Sequence, residues 1–178
     1  MDHLRLRLWS EDDLDLLHAA NTPAMTDHLG GPETEDQIME RHARYLRLVE
    51  AGEARMFVIE DARGSALGSI GHWHVEWRKE PALESGWFVL PEAQGRGVAS
   101  NALALVVDDA RAHRAGRRFL TAFPEVGNAA SNGVCRRNGF TLAGTVTEQF
   151  RGAELTMNEW TLPLTRTSEI SPPDTPGP

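Results

Sequence analysis

The sequence predicts an α/β protein with one mixed sheet and helices on both of its faces. Strand-like segments, in which apolar and polar residues alternate, and helix-like segments, in which apolar residues recur three and four apart, follow one another without an internal repeat. A long helical segment joins two strand-like segments between residues 83 and 123, and this crossover requires the two strands to be parallel. The other strands are joined by short turns, which make neighbouring strands antiparallel.

The spacing of hydrophobic residues, the helix-capping residues and the turn residues predict the order of the strands and helices. Residues 3–8 alternate apolar and basic side chains, which is typical of a strand with one buried face. Thr34 followed by Gln37 has the spacing of a capping box and indicates a helix start. Pro81 is expected to separate two strands. The predicted strands are 3–8, 55–60, 66–77, 83–90, 119–123, 141–150 and 155–162. Two predicted helices begin at residues 10 and 34, and two further helices span 97–115 and 129–137.

The chain length suits one domain, which we place at residues 1–165. A chain of 178 residues is long enough to bury a hydrophobic core. Charged residues make up 25% and hydrophobic residues 40% of the sequence, which are ordinary values for a soluble globular protein. Residues 166–178 contain four prolines and almost no apolar side chain, so we expect a disordered tail there.

The net charge and the cysteine content limit the cellular compartments and the binding partners that we expect. The formal net charge of −8 weighs against a nucleic-acid partner, because phosphate binding requires a basic surface, and it suits a cationic acceptor. The aliphatic run 102–107 is too short to span a bilayer, and the first three residues do not begin a signal peptide. The single cysteine, Cys135, allows no internal disulfide. We therefore expect a cytoplasmic protein that binds neither nucleic acid nor membranes.

The segment 91–99 has the composition of a phosphate-binding loop, although a plain strand-to-helix turn is the alternative. It precedes the longest helix, whose free amide groups and dipole attract an anion. Gly95 and Gly97 let the backbone approach a pyrophosphate, and Arg96 adds a charge-assisted contact. The segment lacks the lysine of a P-loop, and Ser100 stands where a dinucleotide fingerprint requires its third glycine.

Two motifs at the right separation make the sequence resemble the GNAT acetyltransferase superfamily. Gln94, Gly97 and Ala99 match its Gln/Arg-x-x-Gly-x-Gly/Ala motif, which follows a hydrophobic strand. The second motif begins at Asn128 and is similar to the Asn-x-x-Ser…Gly-Phe of the RimJ/RimL-like branch. The resemblance covers roughly residues 3–165. It implies the GNAT fold, in which a splayed parallel pair lies at the centre of a mostly antiparallel sheet.

The resemblance implies acetyl-CoA as co-substrate and no metal. The strand before the loop would pair with the pantetheine arm, and the amides of the loop would hold the pyrophosphate. Asn128 would bind the pantetheine, and Ser131 would face the thioester sulfur. Gly86 would supply a bulge and an amide that polarises the thioester carbonyl. The implied cofactor-binding residues are Phe88, Val89, Leu90, Gln94, Gly95, Arg96, Gly97, Val98, Ala99, Asn128 and Ser131.

One departure from the family pattern concerns the catalytic acid. Many GNAT enzymes carry a tyrosine seven residues after the asparagine, where this sequence has Cys135. The resemblance to the RimJ/RimL-like branch implies Ser131 as the replacement, and a thiol leaving group is acidic enough for a hydrogen bond to suffice. We expect Cys135 to be a small buried helix residue rather than a nucleophile. Glu84 is the first candidate for the general base, since it shares a strand face with Gly86 and Phe88, although a solvated acid at the start of the strand is the alternative.

Aromatic and histidine side chains are the candidates for acceptor binding. His72 and His74 titrate near neutrality and are alternative bases, although an exposed polar strand face also accounts for them. The His-x-His-x-Glu pattern at 72–76 is weak evidence for a metal, since no further ligand cluster accompanies it. Tryptophan suits a cationic amine. The predicted substrate-binding residues are Trp73, His72, His74 and Trp87, and the loop 26–32 is a candidate lid.

The predicted function is transfer of the acetyl group of acetyl-CoA to a primary amine by direct attack in a ternary complex. The acceptor is a protein N-terminal α-amine or a small-molecule amine, and the resemblance is compatible with a homodimer. A non-catalytic acyl-CoA-binding sensor or interaction module on the same fold is the alternative. The missing tyrosine favours that alternative, whereas Ser131 and Glu84 favour the enzyme.

Overall fold

The computed structural model describes residues 3–150 and 152–165, so the predicted tail at 166–178 lies outside them. Within the described residues the strands are β1 (Arg5–Leu8), β2 (Ala54–Glu60), β3 (Ala66–Trp77), β4 (Glu80–Val89), β5 (Phe119–Ala122), β6 (Thr141–Phe150) and β7 (Ala153–Pro163). The helices are α1 (Leu14–Ala20), α2 (Glu35–Glu50), α3 (Val98–Ala112) and α4 (Ala129–Arg137). None of these helices is long and apolar enough to cross a bilayer. The predicted order of elements is confirmed.

One mixed sheet holds the strands in the order β1-β2-β3-β4-β5-β7-β6. All neighbours are antiparallel except β4 and β5, which are parallel. The match between these two strands covers only Leu83 opposite Leu120 and Glu84 opposite Thr121. In the described part of the chain, β4 continues to Val89 without β5 paired beside it, so a slot opens between the two strands. The predicted fold class, with its splayed parallel pair, is confirmed.

Hydrophobic side chains fill both faces of the sheet, because one pair of helices covers each face. The core on the α1–α2 face includes Leu17, Ile38, Met56 and Val58. The core on the α3–α4 face includes Ile70, Leu83, Leu103, Val106 and Leu120. Fully burying one such side chain contributes about 1.5–3 kcal/mol. Along β3 and β4 alternate side chains belong to these two faces, and this alternation decides where each predicted site residue points.

The turn between β3 and β4 differs from the prediction. β4 begins at Glu80, so Pro81 lies inside the strand rather than before it. The turn is made by Arg78 and Lys79, whose φ angles of 51° and 65° are left-handed. β5 pairs with β4 only from Leu83 onward, so the proline lies where β4 has a single neighbour and its missing N–H costs less. Two basic residues in a left-handed turn are unusual, and no local turn signal marks them in the sequence.

A half-buried carboxylate, that of Asp109, anchors α3 to the sheet. Asp109 accepts hydrogen bonds from Arg55 on β2 at 2.7 and 3.0 Å, and its Oδ2 lies 2.7 Å from His72 Nε2 on β3. Burial by itself raises the pKa of Asp109, but the bonds to His72 and Arg55 outweigh it and hold that pKa at about 2. The carboxylate is therefore ionised and paired throughout the neutral range.

Asp109→Asn is expected to lower the free energy of unfolding by about 2 kcal/mol at neutral pH, because it removes charge-assisted hydrogen bonds. The folded-state pKa lies below the ordinary value of 3.8, so the stabilisation is present above roughly pH 4 and is lost as the pH falls toward 2. Urea titrations of wild type and variant are expected to converge over that window. Asp108→Asn, which removes an exposed carboxylate one residue earlier, is the matched control. A stability gap that stays constant with pH would contradict this account.

Candidate functional site

The loop between β4 and α3, called the cradle below, has at the predicted position a backbone geometry that suits an anion. A short 3-10 turn over Pro91–Ala93 follows β4, and the chain then reaches α3 through Gly95 and Gly97. The two glycines have left-handed φ angles of 72° and 76°, which L side chains rarely adopt. No described atom lies within 4 Å of a Cβ placed on either glycine, so the space in front of the loop is open.

The amino end of α3 opens onto that space. Gly97 is the N-cap residue and has no side chain to satisfy the first amides of the 15-residue helix. The amides of Val98 and Ala99, together with the positive end of the helix dipole, therefore suit an anion. Val98 is buried in the α3–α4 core and fixes the direction of the helix start. The exposed residues of the cradle are Gln94, Gly95, Arg96 and Gly97.

One of the three predicted strand residues presents its backbone to the slot. The Leu90 amide donates to the Leu67 carbonyl, on the β3 side, at 2.8 Å. The Val89 carbonyl points to the opposite side of the same peptide and accepts from the Gln94 side-chain amide at 2.9 Å. Because backbone groups alternate along a strand, Phe88 faces β3 as Leu90 does. The backbone pairing predicted for Phe88 and Leu90 is therefore corrected, and that of Val89 stays a prediction.

The bulge expected at Gly86 is absent. The pairing of β3 with β4 has no register shift along the whole of β4, and Gly86 lies opposite Gly71. Gly86 is four residues before Leu90, so its amide also faces β3 and does not serve the slot. A Cβ on Gly86 would lie 2.9 Å from the indole of Trp73. The glycine makes room for that ring rather than for an oxyanion.

The amino end of α4 brings the second motif to the same edge of the sheet. β4 and β5 are parallel, so the helices that follow them both begin beyond the carboxyl ends of these strands. Asn128 is the N-cap of α4, and its Oδ1 accepts from the Ser131 amide at 3.0 Å. The asparagine oxygen thus serves the helix cap, and the Nδ2 group is the part that suits a ligand carbonyl. Ser131 lies half-buried in the first turn.

Asn132 is a buried hydrogen-bonding centre that the sequence analysis missed. Its Nδ2 donates to the carbonyls of Glu125 at 2.9 Å and Asn128 at 2.8 Å. Its Oδ1 accepts from Asn158 Nδ2 and from Trp160 Nε1, both at 2.8 Å. These bonds fasten the first turn of α4 to β7 and to the connection that leads out of β5. An asparagine inside a helical segment gives no local signal of such distant partners.

Glu84 lies where the slot opens. It is the last β4 residue matched with β5, opposite Thr121, and its cross-strand neighbour on the α1–α2 face is Trp73. Burial raises the pKa of Glu84 to about 7, with a smaller contribution from the negative charge of Glu148 on β6. A carboxyl group that titrates near neutrality is suited to accept a proton there. Position and pKa support the predicted role of general base.

The structure divides the four predicted substrate-binding residues between the two faces of the sheet. Trp73 shares the α1–α2 face with Glu84. The residues on the α3–α4 face are His72, His74 and Trp87. His72 is only 3% exposed and bonds to the carboxylate of α3 described above. The prediction combined residues an odd number apart on one strand, which point to opposite faces, so those three do not share a face with Glu84.

Cys135 is fully buried in the α3–α4 core, which confirms the expectation for this residue. Burial raises the pKa of its thiol to about 12, so the thiol stays protonated and is a poor nucleophile. Among the described residues no group of three histidine, cysteine, aspartate or glutamate side chains is arranged to hold a metal ion.

The loop between α1 and α2, predicted as a lid, contacts residues of the segments that flank the slot. Met25 Sδ accepts from Gln94 Nε2 of the cradle at 3.4 Å. His28 Nδ1 lies 2.8 Å from Glu125 Oε2, on the connection between β5 and α4. Gly30 lies against the β6–β7 hairpin, since a Cβ placed on it would come within 3.7 Å of that hairpin. The loop therefore touches three parts of the molecule that surround the slot.

Comparison with known proteins agrees with this geometry. A family model described as an acetyltransferase (GNAT) domain matches residues 3–141. An L-methionine sulfoximine/L-methionine sulfone acetyltransferase of Pseudomonas aeruginosa is 33% identical over 142 residues, which is 76% of this chain and 81% of that protein.

Solved structures with the same fold include enzymes named for different acceptors. A spermidine N-acetyltransferase from Vibrio cholerae has a TM-score of 0.75 at 20% identity, covering 90% of this chain and 95% of that one. An acetyltransferase from Salmonella typhimurium that modifies the N-terminal serine of ribosomal protein L7/L12 has a TM-score of 0.74 at 25% identity, covering 90% and 94%. The RimJ/RimL-like branch therefore stays a prediction.

Asn132→Ala is expected to lower the free energy of unfolding by about 3 kcal/mol, because it leaves several buried hydrogen-bonding groups without a partner. Urea unfolding followed by tryptophan fluorescence measures the change. Asn101→Ala, at an exposed position of α3, is the control and is expected to have little effect. A loss no larger than that of the control would mean that Asn132 does not organise this region.

Proposed function

We propose that this chain, which belongs to the GNAT acetyltransferase family, transfers the acetyl group of acetyl-CoA to a primary amine. The observation that carries the proposal is the convergence of three features at one edge of the sheet. These are the open amide cradle at the start of α3, the slot beside β4, and a carboxyl group with a pKa of about 7 at the point where the slot begins.

The cradle and the slot fit the two ends of acetyl-CoA. The residues from Gln94 to Ala99 would hold the diphosphate, with the amides at the start of α3 as donors and Arg96 as a countercharge. The pantetheine arm would lie along β4, where Val89 faces the slot. Asn128 Nδ2 would bind the arm from the side of α4. Its thioester end would then lie between Glu84 and Ser131.

The chemistry requires a neutral amine, a bound thioester and a leaving thiolate. Glu84 takes a proton from the ammonium group, and the free amine attacks the acetyl carbonyl carbon. The carbon–sulfur bond then breaks, and the coenzyme leaves as a thiolate that accepts a hydrogen bond from the Ser131 hydroxyl. The new amide nitrogen loses its second proton, and the thiolate takes up one proton to become the free thiol. Deprotonation at pH 7 costs about 1 kcal/mol for an α-amine but about 4–5 kcal/mol for a lysine-like amine.

Both acceptor classes remain compatible with this site. A small amine is favoured by the 33% identity to an enzyme named for L-methionine sulfoximine and L-methionine sulfone. A protein N-terminal α-amine is favoured by the motif at Asn128 and Ser131, which resembles the RimJ/RimL-like branch. We place the reaction in the cytoplasm, because the single cysteine is buried and unpaired. A panel of α-amino acids, polyamines and short peptides, with release of free CoA thiol as readout, tests the proposal.

Ser131→Ala is expected to lower turnover by about 100-fold, because the leaving thiolate loses its hydrogen-bond donor. The affinity for acetyl-CoA, measured by calorimetry, is expected to change less than about threefold, since the cradle is untouched. Ser65→Ala, in the turn between β2 and β3, is the control. Equal turnover in variant and wild type would remove Ser131 from the mechanism. Binding of acetyl-CoA without turnover of any amine would support an acyl-CoA sensor instead.

Glu84→Gln is expected to lower kcat/KM by about 100-fold and to abolish the rise of the rate through pH 7 that the carboxylate base produces in wild type. Glu148→Gln is the matched variant. It removes a neighbouring negative charge, so the pKa of Glu84 falls and the rise in rate moves to lower pH with little loss at the plateau. A pH profile that both substitutions leave unchanged would exclude Glu84 as the base.

A further inference from the structure

One histidine–carboxylate contact joins the two sides of the proposed reaction site. His28 Nδ1 lies 2.8 Å from Glu125 Oε2, although the two residues are 97 positions apart. His28 belongs to the loop between α1 and α2, which also contacts Gln94 of the cradle. Glu125 belongs to the connection between β5 and α4, which leads to Asn128 and Ser131. The pair therefore links these two segments.

The backbone of Glu125 holds the amino end of α4. Its carbonyl accepts from the Asn128 amide at 3.0 Å and from Asn132 Nδ2 at 2.9 Å. Its carboxylate also accepts from the Gly127 amide at 3.0 Å, and the residue forms an isolated bridge with Met157 of β7. Glu125 is therefore fixed on the side of α4, and its side chain extends from that fixed point to the loop.

The loop itself is held at its base and contacted at its apex. Asn21 and Glu33 exchange two hydrogen bonds, of 2.9 and 2.8 Å, that close the loop where it leaves α1 and enters α2. At the apex, Met25 contacts the cradle and His28 contacts Glu125. The His28 pair is the apex contact that links the loop to the helix bearing Ser131.

We propose that Glu125 is a positioning residue that sets the acceptor loop and the first turn of α4 in one arrangement. The proposal rests on the function proposed above. An amine that reaches Glu84 passes beneath the loop, and the thioester that it attacks lies beside Ser131. Glu125 bonds to both the loop and the first turn of α4. The same contact therefore positions the acceptor amine relative to the leaving sulfur. Breaking the contact is expected to disturb the binding position of the amine more than that of the coenzyme.

The test uses His28→Ala, Glu125→Ala and the double variant, all of which keep the backbone bonds of residue 125. Each single variant is expected to lower kcat/KM for the amine by roughly tenfold, and the double variant by about the same factor, because the two residues act through one contact. The KM for acetyl-CoA is expected to stay within about twofold. Glu125→Gln keeps an oxygen that accepts from both His28 and Gly127, so it is expected to recover most of the loss.

A second histidine–carboxylate pair provides the control. His18 Nε2 lies 3.1 Å from Glu35, on the outer side of the same two helices. His18→Ala and Glu35→Ala remove a pair of the same chemistry without touching the slot, and both are expected to keep the wild-type rates.

Hydrogen exchange tests the coupling independently of turnover. Glu125→Ala is expected to speed exchange in residues 25–31, and His28→Ala is expected to speed it in residues 126–132. Unchanged exchange across the pair, or losses of activity that add in the double variant, would overturn the proposal. The exchange result stands even when no amine is turned over. Failure of the proposed function and failure of the coupling are therefore separate outcomes.

Discussion

The parting of β4 from β5 after two matched positions is the constraint on which the rest of the molecule depends. A strand inside a sheet normally has neighbours on both sides, because its buried backbone groups require partners. Among the described residues, the last part of β4 pairs only with β3, and its other side faces the slot. The parallel direction of the pair also places the starts of α3 and α4 at the same edge. The cradle, Ser131 and Glu84 are together for that reason.

Elements with local signals were predicted well from the sequence. The capping box at Thr34 and Gln37 forms as expected, with bonds of 2.9 and 3.3 Å between side chains and backbone amides. β3, α4 and β6 have the predicted bounds, because hydrophobic period and glycine positions determine them. The β3–β4 turn was missed, since Pro81 is tolerated only because β5 starts later, which depends on a partner strand far along the chain.

The site was predicted in composition but not in arrangement. The cradle and the motif on α4 depend on backbone geometry that glycine and a helix cap encode locally. The placement of His72 depends on α3, which supplies Asp109 to bind it. Asn132 and Glu125 have partners more than twenty residues away, such as Asn158 and His28, and no period or motif reports such pairs. The sequence shows which types of residue are present, but it does not show which distant segments pack against one another, and the arrangement of the site depends on that packing.

Gln94 gives the slot a bond that a bound molecule has to replace. Its side chain already satisfies the Val89 carbonyl at 2.9 Å, so an arriving amide exchanges one hydrogen bond for another instead of filling an empty acceptor. This exchange contributes little binding enthalpy, so the affinity for the acyl donor depends mainly on its charged nucleotide end. A coenzyme held firmly at one end and loosely at the other leaves its acyl arm free to shift as the bond to sulfur breaks.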